Sequence, residues 1–104
     1  MNKLNLPEGL INQLVEKILQ EVNPDKIIIF GSSVRENNTK GSDIDIALLG
    51  VKEARISLLK DKLNEEANTL KDIDLILFDT LKNERLKDRI LKEGVVIYER
   101  SSKK

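Results

Sequence analysis

Two aspartates separated by one residue, Asp43 and Asp45, open an apolar segment at the end of the stretch IIIFGSSVRENNTKGSDIDIALL (Ile27 to Leu49). A strand sends alternate side chains to opposite faces. Asp43 and Asp45 therefore share one face, while Ile44, Ile46 and Leu48 share the other. A second acidic segment, IDLILF (Ile73 to Phe78), would place Asp72, Asp74, Ile76 and Phe78 on one face. If the two strands are neighbours, Asp74 stands beside the first pair. Carboxylates ~5 Å apart repel by roughly 3 kcal/mol at an effective dielectric near 20. A small domain has only about 5–10 kcal/mol of total stability, so such a cluster needs a counterion. Every ligand on offer is an oxygen. That suits magnesium, or manganese, keeping several waters and sharing phosphate oxygens with a substrate.

Gly31-Ser32 directly follows the apolar run Lys26 to Phe30. A glycine there lets the backbone approach a ligand, and the N–H groups after the turn can cradle phosphate oxygens. Ser32 adds a hydroxyl donor and Arg35 a charged fork. Gly-Ser alone is an ordinary turn, and Asp-x-Asp alone is an ordinary solvated strand end. The combination is more specific: strand, Gly-Ser, ten residues (Ser33 to Ser42), Asp-x-Asp on a strand, then a later strand aspartate. Asp72 and Asp79 are rivals to Asp74; Asp72 sits at the strand entrance, and Asp79 suits a helix cap.

The elements that must hold these groups follow from periodicity. Leu10, Ile11, Leu14, Val15, Ile18 and Val22 form one stripe of a helix spanning Pro7 to Val22, with Pro7 in its first turn. KIIIF (Lys26 to Phe30) is a buried strand, DIDIALL (Asp43 to Leu49) a second, and Arg35 to Ser42 a loop. Lys52 to Leu70 is a helix with Ile56, Leu59, Leu63, Ala67 and Leu70 on one side. Its charges from Lys60 to Glu66 are expected to form a solvated face. Ile73 to Phe78 is a third strand. Leu81 to Glu93 is a helix with Asp79 or Thr80 as N-cap and Gly94 beyond its end. VVIY (Val95 to Tyr98) is a fourth strand. This order predicts an α+β domain: a mixed sheet of about four strands with helices packed largely on one face.

Composition excludes much else. The 104 residues form a single domain, expected over 1–100 with a polar tail at 101–104. With no cysteine and no histidine there is no disulfide, thiolate nucleophile, zinc site or Ser-His-Asp chemistry, and Ser32 and Ser33 lack a histidine base. Lysine plus arginine balances aspartate plus glutamate, 18 against 18. No overall basicity favours nucleic acid, and three aromatics are too few for a base-stacking platform. The start MNKLNLPEGL lacks the apolar run of a signal peptide, and no segment approaches the ~20 apolar residues of a membrane span. A cytoplasmic location is expected.

The stretch GSSVRENNTKGSDIDIALL resembles the signature of the DNA polymerase beta-like nucleotidyltransferase superfamily. With VNPDKIIIFGS before it, IDLILF after it and ILKEGVVIYE at the end, the chain is similar to the minimal nucleotidyltransferase subgroup from about Leu10 to Glu99. The resemblance implies the nucleotidyltransferase fold and transfer of AMP from ATP with release of pyrophosphate. Asp43, Asp45 and Asp74 would be the catalytic carboxylates and hold two magnesium ions. Gly31, Ser32, Ser33, Arg35 and Ser42 would bind the nucleotide. Many relatives carry glycine after the arginine; Glu36 stands there instead. Members of the subgroup are paired with a HEPN-type protein, often encoded alongside, and transfer AMP to its tyrosine as antitoxins. The competing expectations are a non-catalytic module that silences its partner by occlusion, and transfer to a small-molecule hydroxyl.

Overall fold

The stripe of the first helix is realised as α1, Glu8–Glu21, which buries Leu10, Leu14 and Ile18. Pro7 stands before the first turn rather than in it. Its backbone is extended, and its carbonyl accepts from the Leu10 and Ile11 N–H groups, both at 3.1 Å. The computed structural model describes residues 6–31, 43–51, 56–67 and 72–100. The remaining elements are β1 (Lys26–Phe30), β2 (Ile44–Leu49), α2 (Ile56–Glu66), β3 (Ile73–Leu77), a short 3-10 turn (Phe78–Thr80), α3 (Glu84–Glu93) and β4 (Val95–Glu99). The expected loop Arg35 to Ser42, the outer ends of the second helix at 52–55 and 68–70, and the tail at 101–104 lie outside the described residues.

The four strands form one sheet in the order β3-β2-β1-β4. β1 pairs antiparallel with both β2 and β4, and β2 pairs parallel with β3, so the sheet is mixed. The parallel pair needs a crossover, and α2 supplies it. Ile27, Ile29, Ile44, Ile46, Leu48, Ile73 and Leu75 point to one face, where α1 brings Leu14 and Ile18 and α2 brings Leu59 and Leu63. α3 packs on the opposite face. There Ile28, Ala47 and Ile90 are buried together, flanked by Phe30, Leu49, Ile76, Phe78, Leu81 and Leu86. α3 lies closest to β1, and Ala47 of β2 completes this small cluster.

α3 begins later than its periodicity implies. Leu81 is extended, and Asn83 caps the helix by accepting from the N–H groups of Arg85 at 3.1 Å and Leu86 at 3.2 Å. Neither Asp79 nor Thr80 is the cap. Asp79 accepts from the Gly50 N–H at 3.2 Å, and the Thr80 hydroxyl donates to the Leu77 carbonyl at 3.0 Å. The local chemistry of the three candidates is equivalent. Partial burial of Phe78 and Leu81 against the second face goes with a 3-10 turn over Phe78–Thr80 and an extended Leu81, which delay the helix until Asn83. No helix among the described residues is long and apolar enough to cross a membrane.

Candidate active site

The strand register brings the acidic residues together. Asp45 lies directly opposite Asp74 across the parallel β2–β3 pair, and on its other side opposite Phe30, the last residue of β1. Asp43 immediately precedes β2 and is exposed, while Asp45 and Asp74 are half-buried. On the same face, two residues further along, Ala47 and Ile28 are buried with Ile90 of α3.

Gly31 continues from Phe30 with φ +81°. A side chain would be strained there, and it would also have nowhere to go: a Cβ would lie 2.5 Å from Asp45 Oδ2. The glycine turn and the aspartate are thus in direct contact, although fourteen positions apart. Ser32, Ser33, Arg35 and Ser42, with Glu36, lie outside the described residues.

Burial pushes the Asp45 carboxyl above its ordinary range, and the charges of Asp74 and then Asp43 raise it further. Loss of water is the larger cause, and the two neighbouring carboxylates act in the same direction. Among the described residues Lys60, from α2, brings its Nζ to 3.1 Å from Asp74 Oδ1. The hydrogen bond and charge of Asp74 raise the Lys60 ammonium in return. Asp74 Oδ1 also accepts from the Leu75 N–H at 3.1 Å.

One turn beyond Lys60, Asn64 clamps the outer edge of β3. Its Oδ1 accepts from the Ile73 N–H at 2.8 Å, and its Nδ2 donates to the Ile73 carbonyl at 3.0 Å. The same Nδ2 donates to the Lys60 carbonyl at 2.9 Å. An edge strand otherwise offers these groups to water or to another chain. Asn64→Ala removes both bonds to Ile73 along with the one to Lys60, and urea unfolding should register a loss of about 1–2 kcal/mol, since water partly replaces them. Unchanged stability would mean the clamp contributes nothing.

Asp43, Lys60, Asn64, Asp72, Ile73 and Asp74 line an open cavity of about 350 Å³ at this edge. Asp72 is exposed there, and its carbonyl accepts from the Ile44 N–H at 2.8 Å. Asp79 is remote, at the other end of the strands beside Gly50. The face from Lys60 to Glu66 is largely exposed, as expected, yet four of its side chains are engaged: Lys60 and Asn64 reach β3, while Lys62 pairs with Glu21 and Glu66 with Lys17 of α1. The signal for Lys60 and Asn64 was a polar pair four residues apart, each one position after a stripe residue, Leu59 or Leu63.

In kind, the donors suit a hard divalent cation: oxygens alone, crowded enough to raise Asp45. Among the described residues no three acidic groups are gathered closely enough to hold a metal by themselves. Asp45 and Asp74 share a register position, but Asp74 is engaged by Lys60. Such a set leaves room for water and substrate oxygens to complete the coordination.

No curated protein matches the chain by sequence. Several solved structures match its fold. A toxin–antitoxin complex with AMP-PNP aligns at TM-score 0.75 and 20% identity, covering 86% of this chain and 73% of that one. The tri-AMPylated HEPN toxin of Shewanella oneidensis in complex with MNT antitoxin aligns at TM-score 0.69 and 18% identity, covering 89% and 72%. A candidate nucleotidyltransferase from Sulfolobus solfataricus aligns at TM-score 0.51 and 27% identity, covering 88% and 79%. The family model described as polymerase beta, nucleotidyltransferase matches residues 12–103, nearly the whole chain. The chain belongs to the polymerase beta nucleotidyltransferase family.

Proposed function

We propose that this protein is a metal-dependent nucleotidyltransferase that moves AMP from ATP to a hydroxyl, a tyrosine's, on a HEPN-type protein encoded nearby, and so acts as an antitoxin. The observation that carries the reading is the meeting of Asp45, Asp74 and the Gly31 turn at one open end of the sheet. The similarity to antitoxins solved with a tri-AMPylated HEPN toxin and with AMP-PNP supports the choice of nucleotide, acceptor and partner. The domain over 1–100 would work in the cytoplasm, where ATP is plentiful.

In this reading Gly31, Ser32, Ser33, Arg35 and Ser42 hold the triphosphate, and the acceptor enters by the cavity beside β3. Its oxygen bonds to the α-phosphorus, the bond from that phosphorus to the α–β bridging oxygen breaks, and pyrophosphate departs. Asp74 takes the hydroxyl proton through Oδ2, since both donors on its carboxylate fall on Oδ1. Asp43, Asp45 and Asp74 would hold two magnesium ions, which supply positive charge for the attacking and departing oxygens when bound.

The test incubates the purified protein with its HEPN-type neighbour, magnesium, and ATP labelled on the α- or the γ-phosphate. Label on the partner from the α position alone, with wild type and not with Asp43→Asn, is the expected result. Neutralisation of the partner by Asp43→Asn as effective as wild type would overturn catalysis and leave occlusion as the function.

A further inference from the structure

Among the described residues, Lys60 is the only cation lining the cavity where Asp43, Asp72 and Asp74 converge. Its position is built rather than incidental. The Lys60 carbonyl is held by Asn64, and Asn64 is fixed on both polar groups of Ile73, the residue next to Asp74. Helix and strand are thereby locked together beside the carboxylate that the ammonium reaches. Two donors, Lys60 Nζ and the Leu75 N–H, meet on Oδ1 of Asp74. A carboxylate pinned by one oxygen has a defined plane, and its second oxygen has a defined direction.

We propose that Lys60 is a positioning residue for Asp74. It orients the carboxylate and supplies the positive charge that holds the cluster together until a divalent cation takes over that charge. The proposal rests on the nucleotidyltransferase reading for its catalytic half only. The electrostatic half concerns the cluster itself and stands apart from any acceptor. Two effects of opposite direction follow. Removing the ammonium takes away a competitor for Asp74, so a divalent cation alone should bind more tightly. It also frees the carboxylate to rotate, so chemistry should slow once the site is loaded.

The experiment titrates Mn²⁺ alone, followed by electron paramagnetic resonance, into wild type, Lys60→Met, Lys60→Arg, Asp74→Asn and the double variant Lys60→Met/Asp74→Asn. Lys60→Met should bind Mn²⁺ roughly fivefold more tightly than wild type, the scale of one unit charge removed at a solvent-facing site. Lys60→Arg, which keeps the charge, should behave as wild type. Against an Asp74→Asn background the Lys60→Met effect should vanish, because the competition runs through that carboxylate. With ATP and acceptor, Lys60→Met should lose roughly tenfold in kcat at unchanged KM for ATP, with recovery in Lys60→Arg. An ion pair that only braces the fold would lower the melting temperature and leave Mn²⁺ affinity alone. Mn²⁺ affinity unchanged in Lys60→Met, or a shift that persists without Asp74, would overturn the proposal. If wild type transferred no AMP, the proposed activity would fall while the Mn²⁺ titration still decided the role of Lys60.

Discussion

Asp45→Asn is expected to abolish AMP transfer, by roughly 10³-fold or more, and at the same time to make the metal-free domain more stable at neutral pH. The two effects share one cause. Asp45 is half-buried, stands opposite Asp74 and has Asp43 two residues away, so its charge is unfavourable until a cation joins it. Burial first, then Asp74 and Asp43, raise its carboxyl above the ordinary 3.8. A carboxyl raised in the folded state binds protons more avidly folded than unfolded. Its contribution to stability therefore falls as pH rises from 3.8 through the raised value, and stays low above it. Asparagine carries no charge and escapes that loss.

The difference should be small, a few degrees at most, because the side chain is partly open to water. It should appear in EDTA at pH 7 and disappear toward pH 3.5, where wild-type Asp45 is protonated as well. Magnesium with a non-hydrolysable ATP analogue should reverse the order, since a ligand stabilises only the chain that binds it. Thermal melts under the three conditions, beside the transfer assay, decide the matter. A wild type more stable than Asp45→Asn in EDTA at pH 7 would refute the electrostatic account, and a fully active Asp45→Asn the catalytic one.

Gly31→Ala should cripple the same site from the backbone side. At φ +81° an alanine carries strain of about 1–2 kcal/mol. Its Cβ would also sit 2.5 Å from Asp45 Oδ2, so either the carboxylate swings away or the turn after β1 opens. Displacing a reacting group by about 1 Å costs on the order of 10²-fold, and a loss of that size in kcat/KM is expected.

The chain provides its own control. Gly50 has φ +86°, and a Cβ there would lie 2.5 Å from Asp25 Oδ2, at the opposite end of β2. Asp25 is committed to a structural ion pair with Arg100. A Cβ at Gly50 would also lie 2.6 Å from Asp25 Cγ, so Gly50→Ala should lose at least as much stability as Gly31→Ala and keep its activity. Equal activity losses in the two variants would show that strain alone, rather than contact with Asp45, is responsible.

Much of this arrangement was written in the local sequence. The β-branched run Ile27 to Ile29 and the alternation from Asp43 to Leu48 are set by the two-residue period of an extended chain. That period put Asp43 and Asp45 on one face and Asp72 and Asp74 on one face of a later strand, leaving Asp74 as their partner only if the two strands were neighbours. The stripes of α1 and α2 are equally local, fixed by helical repeat. The Gly-Ser turn could be named from its type and spacing, and its resemblance to a known signature gave the family.

Periodicity could not say that α3 packs on the opposite face from α1 and α2, because its buried Ile90 and half-buried Leu86 would suit either side of the sheet. Nor could it choose among Asp79, Thr80 and Asn83 as cap, since all three carry an oxygen on a short side chain. Lys60 and Asn64 read as solvated because they lie off the apolar stripe of their own helix. Their roles come from the edge of β3, which reaches them only when Leu59 and Leu63 bury against Ile73 and Leu75. The direct opposition of Asp45 and Asp74 is likewise a matter of register between strands separated by a helix. The sequence by itself determined which residues share a face, through covalent geometry repeated every two or 3.6 residues. Which faces meet, and so which carboxylate receives the lysine, was decided by the packing of distant apolar side chains in the tertiary structure.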